Sequence, residues 1–196
     1  TGMRGTVLES YEEKLRERKT EDKINKLEYM KKAMEDDYSN INNYTEFTLN
    51  SDGRTWRKQE LNYTNKFDLS DMVKVAGDNL LISVPGLIGD QLFVSQDERK
   101  REVDAYMGFP RSIRNIINFT IPAGYKVVGL QNLNMNIDNE AGTFAVQATA
   151  DGNTLNILVK KHYKQMTVKK ESWPKLLDML DAAFNFSQKR VLLKKI

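Results

Sequence analysis

Residues 144–159, which read FAVQATADGNTLNILV, decide the fold class of this chain. Apolar side chains alternate with polar ones on both sides of a turn formed by Asp151, Gly152 and Asn153. A period of two places every second side chain on one face of a strand, and a turn of this composition joins two such strands into a hairpin. The segment therefore predicts two antiparallel strands that share one buried face.

The same alternation predicts three further strand pairs earlier in the chain. Their turns lie at residues 51–53, 77–79 and 122–124, and each turn contains glycine. The third pair joins a strand that ends at Ile121 to one that begins at Tyr125. Near the end of the chain, Val191, Leu192 and Leu193 predict a last strand, and the flanking lysines and arginine are typical of an exposed sheet edge.

Two helices are predicted outside these strands. Residues 7–38 are rich in Glu, Lys, Arg, Met and Leu, and their apolar positions recur mostly at steps of three and four, which indicates a long amphipathic helix. Ser172 fits the N-cap of a second, shorter helix, because Pro174 can occupy a first turn that needs no donor. The apolar stripe of this helix consists of Trp173, Leu176, Leu177, Leu180 and Phe184.

Together these elements predict a mainly β fold with helices (α+β). We expect an antiparallel β-sandwich-like domain, preceded by the long N-terminal amphipathic helix and covered by the short C-terminal one. Residues 1–6 carry no pattern and are interpreted as an artificial start or a cut inside a longer protein. The helix at 7–38 would lay one face on the rest of the domain, and the family resemblance given below implies that it is a connector. Residues 40–196 would form the β-rich domain, with a soft boundary near 95–102 that allows two lobes.

The composition excludes several classes of function. The chain has 196 residues, no cysteine, one histidine and a net charge of +3 from 30 basic and 27 acidic residues. Such a balanced charge argues against nucleic-acid binding, which needs clustered cations. No apolar run is long enough to span a membrane. We expect no cofactor.

Metal and carboxylate chemistry find little support in the sequence. His162 stands alone on a predicted strand, and a metal site needs several converging ligands. Neighbouring carboxylates occur at 36–37, at 97–98 and at Asp138 with Glu140, in charged or turn-rich stretches that indicate solvent exposure. An enzyme built on two carboxylates stays an alternative, which requires a facing pair with a raised pKa.

Aromatic residues near the first predicted hairpin suggest another class of function. Tyr44, Trp56 and Tyr63 could stack on a sugar ring or a peptide if they share an outward face of the sheet. A free-standing carbohydrate- or peptide-binding module is therefore a second hypothesis, and these three residues are its candidate surface. Aromatic residues of β proteins are more often part of the core.

Five segments together resemble a known family. They are GDNLLISVP at 77–85, ERKREVD at 98–104, FTIPAGYKV at 119–127, WPKLL at 173–177 and VLLKK at 191–195. In this order they resemble the carboxy-terminal region of bacterial exported transglutaminase-like proteins. The similarity extends from about Asn40 to the end of the chain.

The resemblance implies a non-catalytic role. Proteins of that family carry a β-rich amino-terminal domain, a papain-like transglutaminase core with a Cys-His-Asp triad, and a β-rich closing domain. Because this chain has no cysteine, no position of the triad can be assigned in it. We therefore expect an accessory or interaction domain, located in the periplasm or at the cell surface. Its partner would be its own upstream core or another protein, with a polysaccharide or a peptide as the alternative.

Overall fold

The computed structural model describes residues 41–52 and 61–196, together with Lys32. The chain divides into two compact units, of which the first ends at Asp71 and the second comprises Met72–Ile196. Apart from Lys32, which is helical, the helix predicted at 7–38 lies outside the described residues, and so does Trp56. The predicted domain limits stay predictions.

The first unit contains a two-stranded antiparallel sheet. Strand β1 (Ile41–Asp52) pairs with strand β2 (Leu61–Leu69), with three shifts of register along the ladder. This confirms the first predicted strand pair. The rings of Phe47 and Tyr63 stack on this sheet, with their centroids 5.8 Å apart and their planes 13° from parallel.

The second unit contains ten strands and one α-helix among the described residues. The strands are β3 (Val73–Ala76), β4 (Asn79–Ile82), β5 (Ala105–Tyr106), β6 (Arg111–Thr120), β7 (Tyr125–Val128), β8 (Met135–Asp138), β9 (Gly142–Asp151), β10 (Thr154–Tyr163), β11 (Thr167–Val168) and β12 (Val191–Lys195). The helix α1 is Trp173–Ser187, and 3-10 turns form at Val84–Ile88, Leu130–Leu133 and Lys170–Ser172.

These strands form two four-stranded sheets and one small pair. The strand orders are β6-β10-β9-β8, β3-β4-β12-β7 and β11-β5, and every pairing is antiparallel. The hairpin predicted around Gly152 is confirmed, because β9 and β10 pair without interruption from Asp151 and Thr154 to Gly142 and Tyr163. The pair formed by β3 and β4 is confirmed as well.

Two predictions about neighbouring strands are wrong. Strands β6 and β7 do not form a hairpin, since β6 pairs with β10 and β7 pairs with β12 in the other sheet. The last strand, β12, is not an edge, because it lies between β4 and β7. Val191 and Leu193 are buried in this central position, whereas Lys194 and Lys195 extend beyond the residues that pair with β4. Alternation shows which face of a strand is buried but not which strands lie beside it.

One hydrophobic core joins both large sheets and the helix. The ring of Phe144 on β9 lies 5.9 Å from the ring of Phe186 on α1, and Ile82 and Leu193 of the other sheet belong to the same core. The predicted stripe of α1 is buried except for Phe184, which is half-buried, while Phe186 is completely buried. The mainly β fold with several antiparallel sheets and one C-terminal helix is thus confirmed.

The sequence predicts no segment long and apolar enough to span a membrane. Among the described residues, no helix is both long and apolar enough to cross one.

Candidate functional site

A cavity of about 410 Å³ lies at the start of α1, and we call it the Trp173 cavity. Its lining combines apolar side chains with charges of both signs. The lining residues are Leu92, Val94, Glu98, Lys100, Arg101, Glu102, Val103 and Trp173.

Trp173 is held in a fixed orientation beside the cavity. As the first residue of α1 it is buried, and its indole N–H donates a hydrogen bond to the backbone carbonyl of Arg99 at 3.0 Å. The guanidinium carbon of Arg101 lies 4.5 Å from the centroid of the same ring, which is within the range of a cation–π interaction. The indole therefore has both an edge contact and a face contact with residues 99–101.

The apolar part of the lining is open to solvent. Leu92 is 59% exposed and Val103 is 67% exposed, whereas Val94 is buried. Phe93, next to Leu92, is 62% exposed although its ring lies 5.1 Å from that of Phe184 on α1. Exposed apolar side chains grouped around one cavity are typical of a surface that binds another molecule.

The charged rim is built on a hydrogen-bonded turn. The backbone N–H and the hydroxyl of Ser95 both donate to the carboxylate of Glu98, at 2.9 and 2.7 Å. These bonds lower the pKa of Glu98 below its ordinary value, because they favour the charged form. Arg99 then joins the turn to the helix through a 2.5 Å ion pair with Asp181.

The other end of this segment is fixed by Asp104. Its carboxylate accepts hydrogen bonds from the ammonium of Lys169 at 2.8 Å and from the backbone N–H of Lys170 at 3.0 Å. The same contacts hold the pKa of Asp104 below its ordinary value, with the Lys169 bond as the largest cause. Residues 95–104 are thus attached to the rest of the unit through Arg99 and Asp104.

The Trp173 cavity offers apolar and charged groups to a bound molecule, and the contacts of Glu98 hold its carboxylate in the charged form. The apolar lining can receive an apolar side chain. The charged groups of the lining can pair with groups of either sign on a bound molecule. Lys100 and Arg101 can pair with anions, and Glu98 and Glu102 can pair with cations.

The aromatic surface predicted from the sequence is only partly described. Tyr63 is half-buried and stacks on Phe47. Tyr44 lies opposite Phe67 in the backbone register, but its side chain lies outside the described part, as does all of Trp56. The sugar- or peptide-binding role of these three residues stays a prediction.

Asp138, one of the carboxylates singled out by the sequence, is held in its charged form by its neighbours. The pKa of Asp138 is lowered, mainly by a 2.7 Å bond from Lys164 and then by the hydroxyl of Thr143, with a smaller contribution from His162. Hydrogen bonds lower the pKa of Glu98 and of Asp104 in the same way. A general acid requires the opposite shift.

The sequence argues against a metal site at His162, because this histidine stands alone. In the structure, His162 is an exposed residue on β10. Among the described residues, no group of three or more His, Asp or Glu side chains could hold a metal ion.

Sequence reasoning missed the Trp173 cavity. It interpreted residues 95–102 as a soft boundary, because their charges interrupt the apolar pattern. The structure shows that segment 98–104 meets segment 173–177, two of the five segments that carry the family resemblance. No periodicity or spacing in the sequence indicates that these distant segments are in contact.

Comparison with known families identifies the domain that contains this cavity. Residues 80–193 match the model of DUF3858, described as a domain of unknown function with a solved structure. This chain belongs to the DUF3858 family. The DUF3858 region runs from β4 to Leu193 in β12 and includes every residue that lines the Trp173 cavity. No curated protein and no solved structure matches the chain at a significant level.

Proposed function

We propose that this chain is a non-catalytic accessory domain of an exported bacterial transglutaminase-like protein, and that the Trp173 cavity docks a segment of the upstream catalytic core. The observation that carries the proposal is the cavity itself, in which exposed apolar side chains surround an indole of fixed orientation. The link to transglutaminase-like proteins rests on the five resembling segments, two of which meet at this cavity.

The character of the cavity favours a polypeptide as its occupant. Apolar side chains such as Leu92 and Val103 favour burial against another apolar surface. The rim carries Glu98 and Glu102 beside Lys100 and Arg101, so that its charges largely cancel. A polypeptide can match apolar side chains and both signs of charge within one short segment.

The proposal includes two further expectations. Export would place the domain in the periplasm or at the cell surface, as the resemblance implies. A sandwich-like arrangement of the two four-stranded sheets is supported by the core that they share, to which Ile82 and Leu193 contribute from one sheet and Phe144 and Leu155 from the other.

The test has a genetic and a biochemical part. We expect the open frame upstream of the Thr1 codon to encode an export signal and a Cys, a His and an Asp in transglutaminase order. The core, expressed separately, should bind this chain in isothermal titration calorimetry. The double variant Leu92→Asp/Val103→Asp should weaken that binding at least about tenfold, because two charges would replace the apolar lining.

The matched control is Val73→Asp/Val75→Asp, which introduces the same two charges at positions of β3 that are 51% and 76% exposed. It should bind the core as the wild type does. An upstream frame without the three catalytic residues would refute the link to transglutaminases. Equal binding by the wild type and Leu92→Asp/Val103→Asp would refute the role of the Trp173 cavity.

A further inference from the structure

Strand β6 is a long and regular edge of its sheet. It pairs with β10 over ten residues without a shift of register, from Arg111 opposite Tyr163 to Thr120 opposite Thr154. In the described part of the chain, no strand pairs with its other side. An edge strand of this length exposes a row of backbone donors and acceptors that can pair with another strand.

The hydrogen-bond pattern shows which residues of β6 face the free edge. The N–H of Ile121 donates to the carbonyl of Asn153 at 2.7 Å, just beyond the β6–β10 ladder. Bonded and non-bonded pairs alternate in an antiparallel ladder, so the odd-numbered residues of β6 bond to β10. The residues that direct their N–H and C=O groups to the free edge are Ser112, Arg114, Ile116, Asn118 and Thr120.

The side chains of these five residues lie together on the outer face of the sheet. All five are exposed, and Ile116, at the centre of the row, is 59% exposed. Charged residues protect only the first half of the strand, at Arg111 and Arg114. From residue 115 to residue 120 there is no charge, proline or glycine. The second half of this edge therefore lacks the features that usually prevent strand pairing.

We propose that the free edge of β6 pairs with β6 of a second copy of this chain, antiparallel about a twofold axis at Ile116. Ile116 then lies opposite Ile116 of the other copy, Arg114 opposite Asn118, and Ser112 opposite Thr120. In each of these pairs, both side chains lie on the outer face and both backbones direct their N–H and C=O groups to the shared edge. The two four-stranded sheets therefore continue into one sheet of eight strands. The edge-facing groups form about ten hydrogen bonds between the copies, the number found in a typical interface.

The distribution of side chains favours a second copy in this orientation. Antiparallel pairing places the arginines of each copy opposite the neutral half of the other, whereas parallel pairing would place arginine opposite arginine. Like charges directly opposite each other destabilise a strand pair. The twofold axis also brings together the two exposed Ile116 side chains and removes their apolar surface from water.

Charge-swap variants of the complete chain test this pairing by sedimentation velocity. We expect the wild type to dimerise with rising concentration. Ile116→Lys and Ile116→Glu should each weaken dimerisation about tenfold or more, because they place like charges opposite each other on the axis. An equimolar mixture of the two variants should form a dimer again, since opposite charges then meet.

The recovery in the mixture separates a lost interface from a lost fold. Thr149→Lys, which adds the same charge to an exposed position of β9, should dimerise like the wild type. A wild type that stays monomeric at its highest soluble concentration would overturn the proposal. So would an unchanged dimer in Ile116→Lys, or a mixture that stays monomeric. The Trp173 cavity plays no part in this pairing, so either proposal can fail alone.

Discussion

The guanidinium of Arg101 covers one face of the Trp173 indole, at 4.5 Å from the ring centroid. Two residues before it, the carbonyl of Arg99 accepts the hydrogen bond of the same indole. A segment of three residues thus contacts both the edge and the face of the first side chain of α1. Together with the ion pair between Arg99 and Asp181, this ring positions residues 99–101 on the helix.

We predict that Arg101→Ala loosens this segment without unfolding the domain. The free energy of unfolding should fall by about 0.5–1 kcal/mol, the usual size of an exposed cation–π interaction. Acrylamide should quench the fluorescence of Trp173 more strongly, measured in a Trp56→Phe background so that one indole reports. Lys100→Ala, which removes another cation from the cavity lining, is the control. Equal quenching in both variants would contradict the prediction.

Gly142 is a position where the backbone of β9 permits no side chain. A Cβ at this residue would collide with the sulfur of Met179 on α1 and would lie 2.7 Å from the carbonyl oxygen of His162. We therefore expect Gly142→Ala to lower the free energy of unfolding by about 1–3 kcal/mol, as overpacking does. In Gly86→Ala the new Cβ would meet its nearest atom at 3.7 Å, an ordinary contact. Urea denaturation should show no comparable loss in that control.

Lys161 is a buried lysine whose hydrogen-bond acceptor is a neutral amide. The side chain on β10 is 8% exposed, and its ammonium donates to the amide oxygen of Gln91 at 2.8 Å. We predict that Lys161→Met leaves the free energy of unfolding unchanged or raises it, because an apolar chain of similar size needs no partner. Gln91→Leu removes the acceptor instead, together with the hydrogen bonds that the Gln91 amide donates to the carbonyls of Ile88 and Gly89, and should cost about 1–3 kcal/mol. A larger loss in Lys161→Met than in Gln91→Leu would contradict this account.

We predict that Asp104 makes the stability of the domain sensitive to acid. Its pKa in the folded state lies below the ordinary 3.8, because Lys169 and the N–H of Lys170 bind the carboxylate. A lowered pKa stabilises the fold above the ordinary value, and this contribution is lost as the pH falls through 3.8 toward the folded-state pKa. In Asp104→Asn, the midpoint of thermal unfolding should therefore fall less steeply over that range.

The control for the acid prediction is Asp178→Asn, which removes an exposed carboxyl from α1. It reports the general effect of one fewer negative charge. If both variants show the same dependence of the thermal midpoint on pH, the bonds from Lys169 and Lys170 do not account for the acid sensitivity.

Local patterns predicted the elements that depend on neighbours in the chain. The Asp-Gly-Asn turn and the alternation beside it are sufficient for the β9–β10 hairpin, because both strands and their connection form one continuous segment from Gly142 to Tyr163. The helix at 173–187 follows from its stripe and from Pro174 in the first turn. Phe186, however, was missed in favour of Phe184, since the width of the buried face depends on what packs against it.

The sequence by itself determined which residues alternate, where the chain turns and which faces are apolar. Those properties follow from backbone geometry and side-chain chemistry within a few residues. Only the tertiary structure decided that β12 lies between β4 and β7, that β6 ends its sheet among the described strands, and that Trp173 meets residues 99–101. These features depend on residues that are distant in sequence. Which distant residues meet depends on the packing of one shared core, which no local pattern encodes.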